Sequence, residues 1–163
     1  MGVEIERKFL VDPALFFPPA SGSEIRQGYL VRSPERSVRV RLTRSEVPLG
    51  EVEESAALTI KGPDGLARLE YEYPIPAGDA AELLDRLCLP GEIKKVRYLV
   101  DVAGRSFEVD VYDGVHAGLI TAEIELESVD DTVVLPDWVT EEVTGDPAWT
   151  NASLSRAQAA PDD

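Results

Sequence analysis

Near its N-terminus the sequence reads Val3-Glu4-Ile5-Glu6-Arg7-Lys8-Phe9, a stretch in which charged and apolar side chains alternate. Successive side chains of a β-strand point to opposite faces, so Glu4, Glu6 and Lys8 would share one face of such a strand. These three charged groups would span about 13 Å, at roughly 3.3 Å per residue. The stretch therefore predicts a strand with two different faces, one apolar apart from Arg7 and one carrying two carboxylates and an amine.

The same alternation recurs in at least six later segments, which clusters of Gly, Pro, Asp and Ser separate. Together with a less regular segment, Ile25 to Arg32, they predict eight strands joined by turns. Within each segment the polar residues fall on one parity and are mostly of one sign. The acidic pairs are Glu70/Glu72, Glu108/Asp110 and Glu123/Glu125, and the basic pairs are Arg39/Arg41 and Lys95/Arg97.

Charges are thus sorted by strand rather than mixed on each strand. Like charges on one strand face repel each other unless opposite charges or a ligand lie across from them. A closed antiparallel β-barrel supplies that arrangement, because its inward faces point at one another and its closure leaves no free sheet edge. Since burying so many charges without water is costly, the lumen is expected to be hydrated. The prediction is an α+β, mainly β fold: a closed eight-stranded antiparallel barrel with a few covering helices.

Helices are predicted where the apolar spacing changes to three and four residues. The clearest case begins with a capping box formed by Asp79 and Glu82. Its apolar positions are Ala80, Leu83, Leu84 and Leu87. A shorter helix is expected from Asp12, and the stretch from Pro136 is expected to form a further helical cover. Residues 1–156 are predicted to form a single domain, and residues 157–163, which lack packing side chains, a disordered tail.

Composition limits the function. The 163 residues contain 16 Lys+Arg and 31 Asp+Glu, a net charge of −15, which opposes non-specific binding to nucleic acid or to an anionic membrane. An anion must therefore be bound by a local group of bases or through metal cations. Cys88 and His116 are the only residues of their types, which excludes a disulfide framework and a His/Cys zinc site. Carboxylates remain as ligands for hard cations such as Mg²⁺ or Mn²⁺. No targeting segment or long apolar run is recognised, which predicts a cytoplasmic protein.

In nearly its whole length the sequence resembles the CYTH superfamily, the triphosphate tunnel metalloenzymes. The resemblance rests on the N-terminal stretch and on a series of later motifs in the same order. They are Gln27-Gly28-Tyr29-Leu30, Arg39-x-Arg41, Thr59-x-Lys61-Gly62, Glu70-x-Glu72, Lys95-x-Arg97-Tyr98, Glu108-x-Asp110, Glu123-x-Glu125-Leu126, Glu142-Val143-Thr144 and Asn151. The resemblance implies a metal-dependent hydrolase of inorganic triphosphate that acts inside a charged barrel.

The resemblance also assigns expected roles to single residues. Metal ligands are expected at Glu4, Glu6, Asp110, Glu123 and Glu125, with Mg²⁺ or Mn²⁺ as the cation. Phosphate-binding residues are expected at Lys8, Arg39, Arg41, Lys61, Lys95 and Arg97. Tyr29 and Lys61 match a pair that is implied to manage proton transfer. Glu70, Glu72 and Glu108 either bind metal or balance the bases of the lumen.

Alternatives stay open at this point. The substrate could be an organic triphosphate such as thiamine triphosphate or a nucleotide, or the reaction could be cyclisation of ATP. A third alternative is a protein without catalytic activity that binds polyphosphate. Retention of both the acidic and the basic rows favours an enzyme, since phosphate binding alone needs the bases more than the carboxylates. Family members often form dimers, so a homodimer is left open. Trp149 and the loop from Ser45 to Ala56 depart from the family pattern, and both are expected to lie outside the lumen.

Overall fold

The computed structural model describes residues 2–159, which form nine β-strands, two α-helices and two short 3-10 helices. The strands are β1 (Gly2–Val11), β2 (Ser23–Arg32), β3 (Ser37–Glu46), β4 (Val52–Lys61), β5 (Ala67–Pro74), β6 (Ile93–Val102), β7 (Arg105–Tyr112), β8 (Ile120–Glu125) and β9 (Val139–Glu142). The helices are α1 (Ala77–Arg86) and α2 (Asn151–Ala159), and the 3-10 helices are Gly114–His116 and Pro147–Trp149.

The sheet closes into a ring through β1, which pairs with β8 on one side and with β5, the first strand of the order, on the other. The order is β5-β4-β3-β2-β6-β7-β8-β1, and an additional pairing joins β5 to β1. Glu4 lies opposite Arg68 of β5, and Lys8 lies opposite Glu123 of β8. All pairs around the ring are antiparallel. The predicted closed eight-stranded antiparallel barrel is confirmed.

A ninth strand adds to the barrel outside this ring. β9 pairs with the C-terminal part of β1, where Phe9 lies opposite Glu142. The expectation of a helical cover from Pro136 was therefore wrong for residues 139–142, because the backbone of β1 beyond its pairing with β5 offers hydrogen bonds to a strand: Val143 N–H donates to Lys8 O. The helix expected from Asp12 is a turn, in which the N–H groups of Leu15 and Phe16 both donate to Asp12 O.

The apolar parity of the strands faces outward and is covered only in part by chain segments, since Val3, Leu69 and Leu99 stay exposed. The main cluster consists of the buried residues Phe9, Val11, Phe16, Phe107, Val109, Ile120, Ala122, Ile124 and Leu126. Trp138 lies over this cluster, with ring centroids 5.3 Å from Phe16 and 5.7 Å from Phe107. Burial of such large side chains removes apolar area from water and stabilises this side of the barrel.

Helix α1 covers another part of the outer surface. Ala80 and Leu84 are buried against Val40 of β3, as the spacing of the apolar residues predicts. Leu83 is only partly buried, and the prediction was wrong for Leu87, which follows the helix and is 67% exposed. The helix begins at Ala77 after Pro76, so Asp79 lies in its first turn rather than at the N-cap. A carboxylate in the first turn is still favoured by the helix dipole.

Helix α2 lies at one end of the barrel. Its Leu154 packs with Ile93 and Tyr112, which project from the same strand faces as Lys95 and Asp110 and form an apolar layer inside the barrel. The predicted tail, residues 157–163, falls partly on α2, which reaches Ala159, and residues 160–163 lie outside the described residues. Among the described residues no helix combines the length and the apolar character needed to cross a membrane.

Candidate active site

The inward strand faces line one cavity of about 570 Å³. Of the predicted site residues, all except Lys95 and Asp110 lie on its wall. Those on the wall are Glu4, Glu6, Lys8, Tyr29, Arg39, Arg41, Lys61, Arg97, Glu123 and Glu125. They come from six strands spread along the sequence, and the parity of each strand places its polar side chains inside.

One end of the acidic row is already neutralised by bases. Glu4 Oε2 accepts hydrogen bonds from Lys61 Nζ at 2.8 Å and from Arg68 Nε at 3.1 Å. Burial raises the pKa of Glu4, but the charges of Lys61 and Arg68 lower it overall to about 2. Lys61 Nζ also lies 2.8 Å from Glu70 Oε2, so this lysine bridges β1 and β5. Glu4 is therefore ionised throughout the physiological range.

Glu6 has the opposite electrostatic character. Burial, together with the negative charges of Glu123 and Glu4, raises its pKa to about 7. Its cross-strand neighbour is Glu125 of β8, so two carboxylates lie directly opposite each other. Opposed like charges destabilise a strand pair unless a cation lies between them. This part of the wall therefore favours an added cation.

Lys8 and Glu123 form the central ion pair of the β1–β8 ladder. Lys8 Nζ lies 3.0 Å from Glu123 Oε1, and the two side chains are 11% and 13% exposed. Burial opposes both charges, but the mutual attraction prevails and raises the pKa of Lys8 while it holds the pKa of Glu123 well below its usual range. Both groups therefore carry their charges into the cavity.

Arg39 and Arg41 of β3 carry positive charge that carboxylates only partly balance. Arg39 Nη2 donates to Thr59 Oγ1 at 3.2 Å and lies 3.8 Å from Glu72 Oε2. Arg41 donates through Nε and Nη2 to Gln27 Oε1 at 3.2 and 3.1 Å, and no carboxylate of the described residues lies within 4.0 Å of it. Burial and the repulsion from Arg39 and Arg97 lower the pKa of Arg41 to about 10. This wall favours an anion.

Tyr29 lies beside these arginines, opposite Arg39 in the β2–β3 register. Its side chain lines the cavity although the residue is only 4% exposed. Burial raises the pKa of Tyr29, against the charges of Arg39 and Arg41. The hydroxyl thus keeps its proton at neutral pH and can donate a hydrogen bond.

Lys95 and Asp110 lie behind the wall. Lys95 Nζ is 2.6 Å from Asp110 Oδ2, and the two side chains are 0% and 1% exposed. Arg97 donates to both oxygens of Asp110, at 2.7 and 2.9 Å. Burial lowers the pKa of Lys95 to about 7 despite the charge of Asp110, whose own pKa the two bases hold well below its usual range. Asp110 therefore holds the guanidinium of Arg97 in place from behind the wall. The predicted roles of Lys95 as a phosphate ligand and of Asp110 as a metal ligand stay predictions.

The structure adds residues to the site that the sequence analysis did not single out. Arg68 of β5 lies on the cavity wall between Glu4 and Glu6. The sequence does indicate that Arg68 faces the lumen, because in Arg68-x-Glu70-x-Glu72 it lies on the same strand face as the two acids. Trp149 also lines the cavity, so the expectation that it lies outside the lumen was wrong. The turn from Val143 to Asp146 brings it there, a folding-back that strand periodicity does not encode.

Among the described residues no three Asp, Glu, His or Cys side chains form a group arranged to hold a metal ion. Bases lie between the acids: Arg68 donates to Glu4 and Glu6, and Lys8 pairs with Glu123. The donor chemistry nevertheless fits a hard cation. The acids on the wall offer carboxylate oxygens, and Glu6 with Glu125 forms a like-charged pair that a cation would stabilise.

The fold and the site together define a barrel whose lumen favours an anion on one wall and a cation on the other. Comparison with known proteins agrees with this class. The CYTH domain family matches residues 2–148. The chain is 42% identical over 155 residues to the inorganic triphosphatase of Acetivibrio thermocellus, covering 94% of each chain. It is 34% identical over 157 residues to the inorganic triphosphatase of Nitrosomonas europaea, covering 93% of this chain and 96% of that one.

A crystal structure of an inorganic triphosphatase superposes on 93% of this chain and 93% of its own, with a TM-score of 0.62 and 30% identity. The chain belongs to the CYTH family, which confirms the resemblance drawn from the sequence motifs.

Proposed function

We propose that the protein hydrolyses inorganic triphosphate to diphosphate and phosphate inside the barrel, in a reaction that depends on a divalent metal. The observation that carries this proposal is that the cavity wall is divided into a basic part and an acidic part. Arg39 and Arg41 present positive charge with little carboxylate compensation, whereas Glu6 and Glu125 oppose each other as like charges. The chain shares 42% and 34% sequence identity with two inorganic triphosphatases over more than nine-tenths of its length, which supports the same substrate.

The basic side chains of the wall bind the phosphate chain in this proposal. They are Lys8, Arg39, Arg41, Lys61 and Arg97. Lys95 is assigned to the same group and would act through Arg97, with which it shares Asp110. Arginine donates two parallel N–H groups to phosphate oxygens, whereas lysine acts as a point charge. Tripolyphosphate carries about four to five negative charges near neutral pH, so a comparable number of bases matches it without excess.

The acidic side chains hold the metal in this proposal. Glu4, Glu6, Glu123 and Glu125 offer oxygen donors on the cavity wall, and Asp110 is assigned to the same group from behind the wall. Mg²⁺ or Mn²⁺ bound there would neutralise charge on the substrate and lower the pKa of a bound water. The carboxylates themselves fix the orientation of the substrate, because they repel phosphate oxygens and leave them to the basic wall.

Tyr29 and Lys61 are proposed to manage proton transfer. Tyr29 keeps its proton near neutral pH, so its hydroxyl can donate a hydrogen bond to a phosphate oxygen beside Arg39. Lys61 is oriented by Glu4 and Glu70, each 2.8 Å from its Nζ, which holds the amine at a fixed place on the wall.

The proposal places the reaction in the cytoplasm, with a free triphosphate as the partner. The net charge of −15 makes nucleic acid and anionic membranes unfavourable partners. A homodimer is a separate part of the proposal, and light scattering of the purified chain tests it.

The experiment is phosphate release from tripolyphosphate, thiamine triphosphate and ATP, each with Mg²⁺, Mn²⁺ or a chelator. Glu4→Gln removes one proposed ligand, and Glu82→Gln, on the exposed side of α1, is the matched control. We expect preferred hydrolysis of tripolyphosphate that chelation and Glu4→Gln abolish and Glu82→Gln leaves intact. Preference for thiamine triphosphate or ATP, or a cyclic product from ATP, would replace inorganic triphosphate as the substrate. Binding that survives chelation without turnover would instead establish a binding module.

A further inference from the structure

The guanidinium of Arg68 lies among three carboxylates at the acidic wall. Its Nε donates to Glu4 Oε2 at 3.1 Å, its Nη2 to Glu6 Oε1 at 3.3 Å and its Nη1 to Asp64 Oδ1 at 2.7 Å. The side chain is 16% exposed, so water screens these contacts only in part. Arg68 thus joins the acid pair of β1 to the loop between β4 and β5.

Arg68 in this position would compete with a divalent cation for the carboxylates of Glu4 and Glu6. Arg68 uses one oxygen each of Glu4 and Glu6, which are the two carboxylates that a cation shared between them would need. Two cations a few ångströms apart repel each other, and at this partly exposed site water screens the repulsion only in part. A metal ion bound by both Glu4 and Glu6 therefore requires that Arg68 withdraw.

The third carboxylate, Asp64, remains as a partner for the withdrawn side chain. Asp64 makes the shortest of the three contacts, and its side chain is 36% exposed, so it stays outside the acid pair. Lys61 contacts the same oxygen of Glu4, but its Nζ also lies 2.8 Å from Glu70, so it keeps an ionic partner if a metal ion takes that oxygen. The guanidinium can therefore leave Glu4 and Glu6 without losing every ionic partner.

We propose that Arg68 is a built-in counter-cation that occupies the Glu4–Glu6 pair until a divalent metal displaces it, and that Asp64, which already accepts from Arg68, then holds its guanidinium alone. The metal-free site is kept assembled in this way, because the paired acids never face each other without a cation. The inference rests on the proposed function in one respect: the displacing cation is the one that hydrolysis of triphosphate needs.

The test measures Mn²⁺ binding to the whole chain without substrate, by calorimetry and by the loss of the free-ion electron paramagnetic resonance signal. Arg68→Gln should bind Mn²⁺ on the order of tenfold more tightly, since no charge-assisted contacts are lost on binding. Asp64→Asn should bind it several-fold more weakly, because a guanidinium that leaves Glu4 and Glu6 then has no other carboxylate partner. Arg86→Gln, on exposed α1, removes the same charge far from the site and should leave the affinity unchanged.

The double variant Arg68→Gln/Asp64→Asn separates displacement from simple charge attraction. If Asp64 acts by holding Arg68, the Asp64→Asn change has no effect once Arg68 is absent. If Asp64 acts only as a nearby negative charge, it weakens Mn²⁺ binding equally in both backgrounds, and the proposal is overturned. Unchanged or weaker binding by Arg68→Gln, or no Mn²⁺ binding by any of the proteins, would also overturn it.

Unfolding in the presence of a chelator provides a second readout. Arg68→Gln should lower the melting temperature of the metal-free protein, and Mn²⁺ should raise it more in this variant than in the parent protein. Equal shifts in both would argue against displacement. Failure of the triphosphatase assay would leave these binding results intact, so the two proposals fail separately.

Discussion

Replacing Lys95 by Met tests whether the ion pair behind the cavity wall serves stability or substrate binding. Lys95 Nζ and Asp110 Oδ2 are 2.6 Å apart, and both side chains are almost fully shielded from water. Removing one partner of such a pair leaves a buried charge without compensation, which costs about 3–5 kcal/mol. Arg97 still donates to both oxygens of Asp110, so we expect a loss at the lower end, about 3 kcal/mol.

The assay is urea unfolding in chelator, followed by the fluorescence of the two tryptophans, Trp138, which packs against Phe16 and Phe107, and Trp149 of the cavity wall. Lys94→Met is the matched control, because Lys94 adjoins Lys95 in sequence but its side chain is 63% exposed. That control should change the free energy of unfolding by less than about 0.5 kcal/mol. The KM for tripolyphosphate of both variants is measured in parallel.

The reasoning predicts a large loss of stability in Lys95→Met and a change of KM that follows from misplacement of Arg97. A loss of stability below about 1 kcal/mol combined with a large rise in KM would refute it. In that case Lys95 would contact the phosphate chain directly, as the sequence resemblance implies.

Three further predictions address the site and the fold. Arg41→Ala should raise the KM for tripolyphosphate on the order of tenfold or more in steady-state assays, because its charge has no carboxylate partner among the described residues; an unchanged KM would place it away from the substrate. The pKa of Glu6 is raised from 4.5 to about 7, so the folded protein binds more protons and this stabilisation is lost as pH rises through 7. Glu6→Gln in chelator should therefore reduce the fall in unfolding free energy between pH 5 and 8 by roughly 3 kcal/mol, and parallel pH profiles would contradict the shift. Leu84→Ala should lower the unfolding free energy by about 2–5 kcal/mol, whereas a near-neutral result would mean that α1 does not cover β3 tightly.

The sequence by itself determined which side of each strand is polar. A period of two in local sequence is enough to place Glu4, Glu6 and Lys8 on one face, and the repulsion within single-sign rows such as Arg39/Arg41 predicts that these faces meet across a lumen. The spacing of Ala80 and Leu84 likewise predicts the buried face of α1, since helical periodicity is also local.

Only the tertiary structure decided which charges meet and how deeply each lies. Parity assigns a side chain to a face, but the register between distant strands sets its height in the lumen and its cross-strand neighbour. For this reason the sequence did not separate Lys95 and Asp110, which lie behind the wall, from Arg97, which lines it. Arg68 gained its importance only because β5 closes the barrel against β1 and places this base opposite Glu4, a contact made across more than sixty residues of chain.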